Sequence, residues 1–111
     1  MNNLEEMKNN AKKVWSGFAP LENLTGTAAP RLIKFANISK NQKILDVACG
    51  TGVVALTAAR TGANVFGSDL TPELLERAEE NNKLFKLNLK FTEADVEKLP
   101  YDDAFFDVVL S

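Results

Sequence analysis

The sequence predicts an α/β fold, a parallel sheet whose strands alternate with helices. Three observations carry that prediction. Short apolar runs near residues 44–47, 64–68, 87–91 and 105–110 are separated by stretches with helical spacing of apolar side chains. A glycine turn, Gly50-Thr51-Gly52, joins the first run to a helix that starts at Val53. Acids stand at the C-terminal ends of three successive runs, as Asp46, Asp69 and Asp95. In a parallel sheet those ends form one rim, and ligands bind in the crevice outside it.

The elements follow in order. Leu4, Met7, Ala11, Val14, Trp15 and Phe18 recur at helical spacing among Glu5, Glu6, Lys8, Lys12 and Lys13. This predicts a helix over 3–16, closed by Gly17 and Pro20, with Trp15 and Phe18 on its packing face. The alternative use of those aromatics is a lid across a ligand's mouth. A looser stretch over 21–27 leads into a second helix over 30–36, whose apolar positions are Leu32, Ile33 and Phe35. Residues 37–42 form a turn. On this reading 1–42 is an N-terminal helical cap and 43–111 the core domain.

Ile44, Leu45 and Val47 make the first strand. A helix over 53–60 follows the glycine turn, and Gly62 suits its left-handed end. Residues 64–68 are the second strand. Thr71-Pro72 then opens a helix, with a capping hydroxyl and proline at its first position. Its apolar side holds Leu74, Leu75, Ala78 and Phe85, and Glu73–Arg77 and Glu79–Lys83 are stabilising pairs one turn apart. Leu87, Leu89 and Phe91 alternate with polar residues, as in a third strand with one buried face. Residues 105–110 read as a fourth strand covered on both sides. The first and fourth strands are thus expected in the centre and the third at an edge. That is the order 3-2-1-4 of a Rossmann-like sheet with helices on both faces.

Composition narrows the function. The 111 residues suit one globular domain with 45% hydrophobic content. Net charge is −2, unevenly spread: residues 1–42 hold six Lys and Arg against three Glu, and 43–111 hold seven against twelve acids. An acidic ligand-binding half argues against nucleic acid as the partner. One cysteine, Cys49, excludes an internal disulfide and fits a reducing, cytoplasmic setting. The polar N-terminus does not read as a signal peptide, and no apolar run approaches the ~20 residues of a membrane helix. With no histidine, metal centres and histidine-based triads are poor hypotheses.

Asp69 follows Gly52 by seventeen residues, at the end of the second strand, where an acid accepts from ribose hydroxyls. The ligand is therefore expected to contain a nucleoside. Gly50-Thr51-Gly52-Val53-Val54-Ala55 also satisfies the dinucleotide pattern G-x-G-x-x-G/A, an unspecific match by itself. Asp46 separates the ligands. Its charge is unwelcome beside a pyrophosphate but suits an ammonium. S-adenosylmethionine has an ammonium, a carboxylate for the loop N–H groups and a ribose, so it is favoured over NAD.

Asp46-Val47-Ala48-Cys49-Gly50-Thr51-Gly52 resembles the first motif of class I S-adenosylmethionine (SAM)-dependent methyltransferases. Gly67-Ser68-Asp69-Leu70-Thr71-Pro72-Glu73-Leu74-Leu75 is similar to that family's second strand and helix. Glu93-Ala94-Asp95-Val96-Glu97-Lys98-Leu99-Pro100-Tyr101, with Phe106-Asp107-Val108-Val109-Leu110-Ser111, resembles its third and fourth motifs. The type-11 methyltransferase domain, which includes the ubiquinone and menaquinone C-methylases, is the nearest group. The resemblance implies that Asp46 and the backbone at Ala48, Gly50 and Gly52 hold the methionine end. Asp69 would hold the ribose, Leu70 would pack on adenine, Asp95 would accept from its amino group, and the Val96 N–H would meet its ring. Ser111 would lie near the transferred methyl.

Ala48 departs from the family, many of whose members have glycine there, so the turn is less free. Family members continue through three further strands, so the resemblance also implies a cofactor half without the acceptor half. Little activity from the chain alone is then expected, as is self-association through 105–110. Tyr101, Asp102 and Asp103 read as a solvated turn and Cys49 as a small packed residue, and no catalytic residue or metal ligand is assigned. The acceptor is expected to be a small organic molecule. An NAD(P)-linked oxidoreductase and a non-catalytic module holding SAM or S-adenosylhomocysteine are the alternatives.

Overall fold

The computed structural model describes residues 2–17 and 26–111. Expectations that fall on Phe18, Pro20 and the stretch after them lie outside the described residues. In chain order the elements are α1 (Asn3–Trp15), α2 (Ala29–Phe35), β1 (Lys43–Val47), α3 (Val53–Ala59), β2 (Asn64–Asp69), α4 (Pro72–Leu84), β3 (Lys90–Glu93) and β4 (Val108–Leu110). A single 3₁₀ turn, Val96–Lys98, follows β3. The four strands are parallel in the order β3-β2-β1-β4, as the sequence predicts. The register pairs Asp46 with Gly67 and Asp69 with Glu93, so the acids of β1 and β2 share the carboxyl rim.

One face of the sheet carries the main core. Ile44 and Val65 meet Ile33 of α2, Ala55, Leu56 and Ala58 of α3, and Leu89 and Leu110. Small residues allow close packing: a Cβ on Gly67 of β2 would fall 2.6 Å from the ring of Phe91 on β3, and one on Gly52 would fall 3.3 Å from Ala78 Cβ of α4. The opposite face carries Phe66, because successive strand residues alternate sides. Tyr101, Phe105 and Phe106 surround it edge-on, with centroids 5.4–6.1 Å away.

Several elements differ from expectation, each for a visible reason. Helix α1 buries none of its residues, so its apolar stripe is not a packing face. Thr71 occupies the N-cap position of α4, but its side chain makes no capping bond. Strand β3 starts only at Lys90, because Asn82 of α4 brackets Leu89 instead: its Nδ2 donates to the Leu89 carbonyl and its Oδ1 accepts the Leu89 N–H, each at 3.4 Å. Strand β4 starts at Val108, since Phe105 and Phe106 are drawn to Phe66. Asp107 accepts the Lys43 N–H at 2.7 Å, which fixes the strand's entry. β4 is an outer strand of this sheet and Val109 is 59% exposed, unlike the covered central strand expected. Phe35 and Phe85 lie largely outside the core, Phe85 beneath the Arg60 guanidinium at 4.7 Å.

Candidate functional site

The site grows from the end of β1. Asp46 is its penultimate residue, held in the sheet between β2 and β4 and only 2% exposed. The chain then turns through three left-handed residues, Ala48 (φ 55°), Gly50 (φ 57°) and Gly52 (φ 86°). Alanine is strained there, because its Cβ crowds the following carbonyl. The loop is tied down from within. Cys49 N–H donates to the Ser68 carbonyl at 2.9 Å, and Gly52 N–H to the Cys49 carbonyl at 3.0 Å. Gly50 N–H donates to Asp69 Oδ2 at 2.9 Å, and Asp69 Oδ1 accepts the Thr71 N–H at 2.9 Å. The N–H groups of Gly50 and Gly52, expected to be free for a ligand, are thus satisfied by protein. From α4, Asn81 Nδ2 donates to the Thr51 carbonyl at 3.2 Å.

Asp46 is electrostatically unlike its neighbours. Burial pushes its carboxyl pKa up to about 7; the nearby Asp69 adds to the rise, and a hydrogen bond from the Ala55 N–H opposes it. Its Oδ2 is buried with no hydrogen-bond partner. A buried acceptor without a donor costs free energy, roughly 1–3 kcal/mol, which a cationic ligand would recover. Burial also pushes the Cys49 thiol far up, helped by Asp46 and Asp69, so Cys49 is no nucleophile.

Asp95 sits at the other end of the rim. Its Oδ1 caps the 3₁₀ turn by accepting the Glu97 N–H at 3.0 Å, and its Oδ2 accepts from Lys8 Nζ of α1. The Lys8 ammonium holds the Asp95 carboxyl below its usual range, and Asp95 in turn raises Lys8.

A cavity of about 810 Å³ joins these parts. Of the residues picked from sequence, Asp46, Ala48, Gly50, Asp69, Leu70, Asp95, Val96 and Ser111 line it. Gly52 does not; its bare Cα faces Ala78 and Phe91, so it serves helix packing. A Cβ on Gly50 would meet nothing within 4 Å, which leaves its Cα side open. Sequence reasoning missed Lys8 and Ala11, which line the cavity with Trp15. The signal was available: Lys8, Ala11 and Trp15 share one face of α1 at spacings of three and four. Tyr101 is not in a solvated turn but in the aromatic cluster, its hydroxyl buried without a partner. Asp102 and Asp103 are exposed. Among the described residues no three His, Cys, Asp or Glu side chains form a potential metal site, and no helix is long and apolar enough to cross a membrane.

Known proteins share the family and the fold. Residues 44–111 match the methyltransferase domain family, and the chain belongs to that family. It is 42% identical over 83 residues to a demethylmenaquinone methyltransferase of Chlorobaculum tepidum, covering 74% of this chain and 33% of that protein. The crystal structure of YcgJ from Bacillus subtilis superposes with a TM-score of 0.70 at 26% identity, over 75% of this chain and 36% of that one. A coclaurine N-methyltransferase, solved with N-methylheliamine and S-adenosylhomocysteine (SAH), shares the fold at a TM-score of 0.67 and 24% identity, over 76% of this chain and 25% of that one. The chain spans about a third of the length of the curated relatives it matches.

Proposed function

We propose that this chain is the cofactor-binding part of a SAM-dependent methyltransferase that acts on a small organic acceptor. The observation that carries the reading is Asp46 Oδ2, a buried acceptor without a donor, in a residue lining the large cavity. The methionine ammonium of SAM is a donor of the right charge. The pyrophosphate of a nicotinamide dinucleotide would instead set negative charge beside a carboxylate.

The other roles follow along the rim. Asp69 keeps one lone-pair site on each oxygen after accepting its two N–H groups, enough for a ribose diol. Leu70 packs on the adenine, while Asp95 and the Val96 N–H meet its polar edge. The backbone at Ala48 and Gly50 lies along the methionine chain, and Gly52 acts indirectly by seating the loop against α4. Ser111 lies near the transferred methyl. When bound, the cofactor supplies a methyl on a positively charged sulfur. The protein's task is to hold that methyl in line with the acceptor, with little acid–base work. The buried free thiol of Cys49 suits a reducing cytoplasm. Exposed Val109 on the outer strand β4 supports self-association through that strand, which sedimentation at several concentrations would detect.

Calorimetric titration with SAH, with NAD and NADH in parallel, tests the reading. Saturable binding of SAH alone is expected. Its affinity should rise as pH increases towards about 7, because the ligand's ammonium favours ionised Asp46. Asp46→Asn should remove that dependence. Binding of the nicotinamides in place of SAH would overturn the proposal.

A further inference from the structure

The two ends of the rim leave their acids in opposite states. Asp46 Oδ2 has no partner, whereas both oxygens of Asp95 are engaged, Oδ1 by the Glu97 N–H and Oδ2 by Lys8 Nζ. Lys8 Nζ also donates to Glu97 Oε2 at 2.9 Å, and one turn along α1 Lys12 Nζ reaches Glu93 Oε1 at 3.3 Å. These contacts come from a helix that buries none of its residues, while its Ala11 and Trp15 line the cavity. Helix α1 is therefore fastened to the rim by its lysines and forms part of the wall of the cavity a ligand would enter.

We propose that Lys8 is a placeholder for the ligand's amino group: it occupies the Asp95 carboxylate until a nucleoside enters and then yields it, so that α1 is a lid latched by charge. The identity of the entering amine rests on the cofactor reading above; the latch itself does not. An ammonium and an exocyclic amine are both N–H donors and compete for the same lone pairs. Asp95 Oδ1 is committed to the backbone of the 3₁₀ turn, so the exchange takes place at Oδ2. Glu97 gives the displaced ammonium a second carboxylate, so Lys8 stays paired when it lets go of Asp95. The Lys8–Asp95 pair is half-buried at the rim and its Glu97 and Glu93 neighbours are exposed, so solvent screens the set and keeps the latch reversible. Lys8 is in this sense an affinity-setting residue: each nucleoside that binds must first outcompete it.

Trp15, the only tryptophan of the chain, reports the lid directly. Its emission and its quenching by acrylamide are to be followed in the ligand-free chain between about 0.05 and about 0.5 M salt, where exposed ion pairs are progressively screened. Quenching should increase with salt, and Lys8→Met at low salt should already match the high-salt protein. Because α1 buries nothing, that substitution leaves the core intact. In calorimetry Lys8→Met should bind SAH about threefold more tightly than the natural sequence at low salt, the size set by one solvent-screened ion pair, with the advantage vanishing at high salt. A Trp15 signal indifferent to both salt and Lys8→Met would overturn the latch. Equal or weaker binding of SAH by Lys8→Met would overturn the placeholder role. If neither protein bound SAH, the cofactor reading and the exchange would both fall, while the Trp15 response would still decide whether α1 is latched.

Discussion

Two walls face each other across the cavity, and different physics builds them. The wall made by β1, the glycine loop and the end of β2 is buried and tied by backbone groups. Cys49, Gly50 and Gly52 all donate inward, Asn81 holds Thr51, and Asp46 and Ser68 are almost wholly covered. The wall made by α1 and the rim from Glu93 to Glu97 buries no helical residue and is joined by lysine–carboxylate pairs. The first wall holds its shape through bonds within the protein. The second is free to rearrange at little cost, since its ion pairs lie at the rim, where solvent screens them. A binding site gains from the division: one side defines the geometry and the other admits the ligand.

One large effect that would sharpen this contrast is steric. Gly67→Ala puts a Cβ 2.6 Å from the Phe91 ring and 3.0 Å from Cys49 Sγ, behind the rigid wall. It should destabilise the chain by about 3 kcal/mol, the upper range for overpacking, in urea unfolding. Met7→Ala on α1, where Met7 is 67% exposed, should cost less than about 0.5 kcal/mol. Similar costs at the two positions would break the comparison.

Next comes the buried acid. The folded chain holds Asp46 at a pKa of about 7, whereas an unfolded carboxyl titrates near 4. Between those values the folded state keeps a proton that the unfolded state has lost. Stability is therefore full below about pH 4 and falls as pH rises towards about 7. The loss should be about 4 kcal/mol by urea unfolding, from about 1.4 kcal/mol per unit of pKa difference, and Asp46→Asn should abolish it. An unaltered pH slope in the variant would remove Asp46 from the account.

The legibility of the molecule follows the same division. The strand order, the glycine turn and the rim acids could be read because each is local: an apolar run, a turn residue, an acid at a strand end. Part of what escaped depended on contacts distant in sequence. Lys8 meets Asp95 across 87 positions, and no local pattern announces that pairing. The expected packing face of α1 failed because amphipathic spacing fixes the direction of a stripe and not what lies opposite it. Strand β3 began late because Asn82, a polar residue on an otherwise ordinary helix, took the backbone of Leu89. Gly52 was correctly marked as a residue needing freedom, but its bare Cα serves Ala78 and Phe91 and does not face the cavity.

A smaller effect of opposite sign concerns Ala48. Its φ of 55° is costly for alanine and free for glycine. Ala48→Gly should stabilise the chain by about 0.5–1 kcal/mol, the relief of left-handed strain less the added freedom of the unfolded chain. Destabilisation in thermal melting would show that the methyl group earns its place by packing.

The contrast between the walls is tested most directly by hydrogen–deuterium exchange on the ligand-free chain, read amide by amide at low and high salt. The account predicts that the Cys49, Gly50 and Gly52 amides exchange slowly at both, whereas the α1 amides exchange fast and faster still as salt rises. Exchange in α1 as slow as in the glycine loop, and indifferent to salt, would contradict it.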